Sequence, residues 1–155
     1  MASISGRIAN FLSTRFPDLG RRATVRQIEK FRASKGAKGN KLLGKPVFLL
    51  DVAGRKSGEP RPVMLMLVHR GDDLIVVGSN GGYPTTPNWY ANLAAAGEAH
   101  VEVGADRWAV DVRELDDGTE RDDCWALACA AYSDFASYQE LTDRKIPIAV
   151  LTRKG

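Results

Sequence analysis

Apolar residues first recur at helical spacing. Ile4, Ile8, Phe11, Leu12 and Phe16 share one stripe, Arg7 and Arg15 occupy other faces, and Pro17 with Gly20 ends the pattern. A second, weaker helix carries Val25, Ile28 and Phe31 through residues 21–36, and the lysine-rich residues 38–46 read as a basic loop. From Lys45 the pattern is that of strands. Residues 46–54 form an apolar run ended by Gly54, and residues 61–79 give two runs joined as a β-hairpin at residues 70–73. After a long turn over residues 81–87, Thr86 fits an N-cap and Pro87 the first position of a helix through residues 88–96, closed by Gly97. Residues 100–104 and 107–116 alternate with period two and pair around residues 104–106. The acidic residues 116–123 open a helix whose dipole their charges suit; a short helix over residues 133–144 and a strand over residues 146–152 follow. Five or six strands with short helices predict an α+β fold built on a small antiparallel barrel. The chain divides into a basic amphipathic segment, residues 1–44, and a barrel domain, residues 45–155.

Composition adds limits. With 155 residues, 44% hydrophobic and 26% charged, the chain suits a globular domain with a sizeable core. Its 15 Gly, 7 Pro and 2 Cys exclude collagen-like and disulfide-scaffold classes. No apolar run approaches the roughly 20 residues that span a bilayer. The start of the chain lacks the apolar core and cleavage site of a secretory signal, so a cytoplasmic protein is expected. The net charge of +3 hides an asymmetry. Residues 1–56 hold 13 Lys and Arg against 3 Asp and Glu, and the remainder holds 9 against 16. A basic segment of this kind points to an anionic partner. The N-terminal helix either caps the core or lies on an anionic membrane surface through residues 1–40, peripheral on the inner face of the cell membrane. Nucleic acid is not expected, because no stacking aromatics are interleaved with the cations. Cys124 and Cys129 suit neither a redox pair nor a metal pair and read as small core residues. His69 and His100 stand alone, and no metal site is expected.

Three segments carry candidate chemistry. Residues 54–62 place Arg55, Lys56 and Arg61 at a tight turn with the Ser57 hydroxyl and Gly58, able to hold phosphate or carboxylate; the same spacing also suits a solvated hairpin loop. It is not a Walker loop, lacking that spacing and a following helix. Residues 78–93 bring Ser79, Asn80, Gly81 and Gly82 to a turn before a helix that begins with Asn88, Trp89 and Tyr90. Glycines there permit close approach of a ligand, and a helix start favours an anion. In residues 131–144, Tyr132, Phe135 and Tyr138 share a helix face, as core or as a stacking and proton-donating wall.

On these segments the chain resembles the deazaflavin-dependent nitroreductase family of actinobacteria, oxidoreductases that use coenzyme F420. The resemblance runs from about Lys45 to Leu151 and rests on GRKSGEPR, then GSNGGYPTTPNWYANLAA with VEV, then SYQELTDRKIPIAVL. It implies a split β-barrel, as in flavin-binding reductases. It implies that Arg55, Lys56 and Arg61, with Ser57 and Gly58, hold the phosphate and glutamyl tail of the coenzyme. Residues 79–82 would lie beside the deazaflavin ring, with Asn88 and Trp89 flanking the site, and Tyr132 and Tyr138 on the substrate side. Family members that associate with the cytoplasmic membrane also have a counterpart of the N-terminal segment. The chain departs from the nitroimidazole-activating members, whose Pro-Leu-Tyr-Phe stretch is here Met64, Leu65, Met66 and Leu67. Phe135 replaces a second Tyr, Leu141 a Trp, and Asn80 a Lys, which makes the substrate pocket of Met64, Met66 and Phe135 less polar.

The implied reaction is hydride transfer from reduced coenzyme F420 to a quinone, or to an activated enone or nitro compound. Ser79 would orient the ring, and Tyr138, or failing that Tyr132, would meet the developing oxyanion. Other readings are an FMN-dependent reductase on the same barrel, a non-catalytic deazaflavin or haem-binding module, and a peripheral membrane adaptor.

Overall fold

The computed structural model describes residues 17–155, so the amphipathic stripe over residues 4–16 lies outside the described residues. The chain runs α1 (Pro17–Ala33), β1 (Lys41–Leu42), β2 (Lys45–Ala53), β3 (Pro60–Met66), β4 (His69–Arg70) and β5 (Asp73–Val77). A 3-10 turn (Asn80–Gly82) leads to α2 (Asn88–Ala96), β6 (Glu98–Val103), β7 (Asp106–Glu114), α3 (Thr119–Ala131), α4 (Asp134–Glu140) and β8 (Ile148–Arg153). All pairings are antiparallel, in the order β1-β2-β6-β7-β8-β5-β4, with β3 bonded to β2. The result is a curled, incompletely closed α+β barrel.

The apolar runs that hide strand periodicity belong to strands buried on both faces. Along β2, Phe48, Leu50 and Val52 point into the barrel, while Leu49 packs under Ile28 and Phe31 of α1. Along β5 and β8, Leu74, Val76, Ala149 and Leu151 face the same interior. Their neighbours Ile75, Val77, Ile148 and Val150 face outward into a layer with Cys124 and Ala128 of α3 and Phe135 of α4. The alternation is visible in the sequence of β6 and β7, where Ala99, Val101 and Val110 are buried and His100 and Asp111 are exposed. Both cysteines are free; burial pushes their thiols up, as suits core residues.

Three expectations change. The helix expected over residues 21–36 starts earlier, at Pro17, so Gly20 lies inside α1; a proline in a first turn lacks only an N–H that has no intrahelical partner. The basic loop is a hairpin, with Leu42 paired to Lys45 around Leu43 (φ 50°) and Gly44 (φ 75°). The strands around residues 70–73 form a hairpin of only two pairs, His69 with Leu74 and Arg70 with Asp73. β3 instead pairs with β2 from Val47–Met66 to Ala53–Pro60, so β3 and β5 diverge and the barrel stays split between them.

Candidate active site

A cavity of about 630 Å³ occupies that split. Met64, Leu65 and Met66 of β3 form one wall, and Val77 at the end of β5 another. The loop after β5 adds Ser79, Asn80 and Gly81; the start of α2 adds Pro87 and Trp89; Tyr132, Phe135 and Tyr138 close the far side. Most of the lining is apolar, so the cavity favours a flat body that water would otherwise surround. Leu42, Leu43 and Tyr83, all partly open to solvent, stand at its rim.

The basic turn lines a smaller cavity of about 210 Å³ with Gly54, Arg55, Lys56, Ser57, Arg61, Asn88 and Asn92. Its shape comes from the turn itself: Gly54 N–H donates to the Glu59 carbonyl at 2.8 Å and Gly58 N–H to the Gly54 carbonyl at 2.7 Å. The Ser57 hydroxyl accepts from Glu59 N–H at 3.2 Å and from Arg61 at 3.4 Å. Arg55 is held from α2, its Nη1 donating to Asn92 Oδ1 at 2.8 Å and its backbone N–H to the same oxygen at 3.1 Å. Lys56 is exposed and has no protein partner among the described residues. No side chain caps α2; Pro87, not Thr86, is its N-cap, which leaves first-turn N–H groups free for an anion.

The start of α2 joins the two cavities. Successive residues Asn88 and Trp89 face the cationic and the apolar cavity respectively. Together the cavities suit one ligand with a flat apolar body and an anionic tail.

Hydroxyls supply most of the chemistry in the larger cavity. Tyr132 and Tyr138 stand 3.0 Å apart, and Tyr132 donates to Asp134 Oδ2 at 3.1 Å. Burial, then the neighbouring phenol and carboxylate, holds the Tyr132 hydroxyl well above its ordinary pKa. Burial raises Tyr138 too, against a downward pull from the Tyr132 hydrogen bond. Ser79 is buried beside the loop, and Asn80 spends its amide on Thr85, donating to the carbonyl at 2.9 Å and to the hydroxyl at 3.3 Å.

Sequence reasoning placed Gly82 on the ligand, but it does not line the cavity. At φ 85° it lies where a Cβ would meet the Tyr138 carbonyl at 2.8 Å and Leu141 Cβ at 2.9 Å, so its bareness lets α4 pack closely. Sequence reasoning missed three residues. Asn92 lies one turn beyond Asn88 on the same helix face, a spacing that could have flagged it. Asp134 is a buried carboxyl in a stretch read for its aromatics. Arg144 gave no local signal, yet it donates to the carbonyls of Tyr83 (2.9 Å), Gly78 (3.1 Å) and Ser79 (2.8 Å) and so holds the cavity loop. Burial lowers its pKa. No cluster of metal-binding side chains occurs among the described residues.

Comparison with known proteins shows the family and the fold. An F420H(2)-dependent quinone reductase of Mycobacterium tuberculosis is 33% identical over 129 residues, covering 80% of this chain and 85% of that protein. A solved F420-H2 dependent reductase, FDR-A, is 39% identical, with a TM-score of 0.64 over 68% of this chain and 93% of its own. A haem-binding protein of Mycobacterium smegmatis shares the fold at 16% identity and a TM-score of 0.53, covering 83% of this chain and 50% of that one. The family profile of F420H(2)-dependent quinone reductases matches residues 23–153, and the chain belongs to that family.

Proposed function

We propose that the protein transfers a hydride from reduced coenzyme F420 to a quinone. The observation that carries this reading is the pairing of an apolar cavity and a cationic one across the start of α2. Coenzyme F420 is the cofactor of the family, and when bound it supplies the two-electron hydride. Arg55, Lys56 and Arg61, with Ser57, Gly58 and Asn88, hold its anionic tail by charge-assisted bonds. Ser79, Asn80, Gly81 and Trp89 fix the ring in the split, with Gly82 setting the loop against α4. Met64, Met66 and Phe135 keep water from the acceptor and favour a flat apolar molecule. Tyr138, or failing that Tyr132, meets the acceptor oxygen as charge develops on it.

Fluorescence titration with F420, FMN and haem separately tests the cofactor. Tight FMN binding without F420 binding would sink the reading. Arg55→Ala should weaken F420 binding by roughly tenfold or more, with a shallower salt dependence than wild type. A panel of quinones, enones and nitroimidazoles with reduced F420 tests the acceptor; quinones should turn over fastest, and coenzyme binding without any turnover would favour a binding module.

An anionic membrane surface belongs to the same proposal. Arg21, Arg22, Arg26 and Lys30 are exposed on α1, and no helix among the described residues is long and apolar enough to cross a membrane. Flotation with phosphatidylglycerol vesicles, lost on deleting residues 1–40, would support it; equal flotation of both forms would refute that segment's part.

A further inference from the structure

The hydrogen bonds behind Tyr138 have a direction. A phenol has one proton, and the Tyr132 proton goes to Asp134. The bond between the two phenols then uses the Tyr138 proton. The chain runs inward, and Tyr138 offers the cavity a lone pair rather than an O–H. In that state it cannot protonate an acceptor without breaking an internal bond. Tyr132, Tyr138 and Asp134 are only 9%, 8% and 4% exposed, so bulk water does not set their orientation.

We propose that Asp134 is the positioning residue that sets the direction of this chain, and that the acceptor's proton is drawn from its carboxyl. With a proton on Asp134, its O–H donates to Tyr132, Tyr132 donates to Tyr138, and the Tyr138 O–H faces the cavity. Hydride arrival, carrying two electrons, leaves negative charge on the acceptor oxygen. The O–H bonds of Tyr138, Tyr132 and Asp134 break, and O–H bonds form on the acceptor, Tyr138 and Tyr132. Asp134 ends as a carboxylate and the chain returns to the inward arrangement; a solvent proton taken up at Tyr138 from the open cavity then passes through Tyr132 to reload Asp134 before the next turnover. Among the described residues, this layer also holds the thiols of Cys124 and Cys129, and the buried Arg121 of α3 sits against it, donating to the Ile146 carbonyl. The shifts of the phenols come from burial, from each other and from Asp134. The proton's destination rests on the quinone reductase reading; the direction of the chain does not.

Asp134→Asn keeps the shape and an acceptor oxygen but has no carboxyl proton. In the coenzyme-free protein, phenol ionisation followed by ultraviolet absorbance should begin at lower pH in Asp134→Asn, because a negative neighbour is gone. In the loaded enzyme, kcat should fall roughly a hundredfold while KM for the quinone stays within about twofold. Tyr132→Phe cuts the chain between Asp134 and Tyr138 and should cost the same in kcat. The double variant should lose no more than either single one, whereas independent packing roles would multiply. If Asp134→Asn fails to fold, Tyr132→Phe decides: unchanged kcat overturns the relay. Unchanged phenol titration, kcat within twofold, or multiplying losses would also overturn it. A wild-type protein that oxidises no reduced F420 with any quinone would defeat the functional reading instead, leaving the titration to judge the chain.

Discussion

Arg144→Met tests whether one side chain holds the loop that lines the cavity. The guanidinium donates to three carbonyls of the segment from Gly78 to Tyr83. Bonds to charged groups contribute about 1.5–3 kcal/mol each, but the carbonyl of the exposed Tyr83 can rehydrate when the donor is lost. Gly78 and Ser79 are buried, so their two carbonyls carry most of the cost. Against this, Arg144 Nη1 is itself buried without a partner, a penalty that methionine removes. The net loss is about 2–3 kcal/mol, which for a chain of this size lowers Tm by about 5–10 °C. Arg144→Lys keeps the charge but offers donors from a single point, and it should lie between the two. Calorimetry or dye-monitored melting reads the stability; F420 titration reads the loop, with affinity falling alongside Tm. A Tm for Arg144→Met within about 1 °C of wild type would refute the reasoning, as would full rescue by lysine.

Three further perturbations have signs fixed by the structure. Gly82→Ala drives a Cβ into the Tyr138 carbonyl and Leu141 at a positive φ, and should cost about 2–4 kcal/mol by urea unfolding; a neutral result would mean that α4 gives way freely. Leu43→Asn relieves a leucine held at φ 50° and should stabilise by about 0.5–1 kcal/mol, seen as a Tm rise of about 1–4 °C; a fall would show that the exposed leucine packs against something it stabilises. Arg113 and Arg70 hold Glu120 down to a pKa of about 2, below its ordinary 4.5. A depressed folded pKa gives stability that is present above the unfolded pKa and lost as pH falls through the folded one. Glu120→Gln should therefore be less stable than wild type at neutral pH, with the difference vanishing between about pH 4.5 and pH 2; a pH-independent difference in Tm would contradict the linkage.

Much of the fold was legible because local chemistry and global position agree in most segments. Gly97 ends α2, the acidic run opens α3, and β6 and β7 alternate because one face meets water. The basic turn was legible for the same reason: residues 54–62 are contiguous, and a tight turn keeps neighbouring cations together. Where helices cover the outer face of β2, β5 and β8, alternation disappears and sequence cannot choose their partners. The partner of β3 was misread for that reason. Residues 70–73 carry a good hairpin signal, but longer pairing with β2 wins the strand.

By itself the sequence determined most of the element types, the α+β class, the charge gathered before residue 57 and the segments that line the two cavities. Each of these depends on residues near one another along the chain. Only the tertiary structure decided that the barrel stays open between β3 and β5, that Asn88 and Trp89 face two cavities, and that Arg144 holds a loop more than sixty residues away. It also decided that Asp134 stands behind two tyrosines rather than in solvent. Such facts follow from which surfaces cover which. Burial and hydrogen bonding settle that over the whole chain at once, so no local window of sequence contains them.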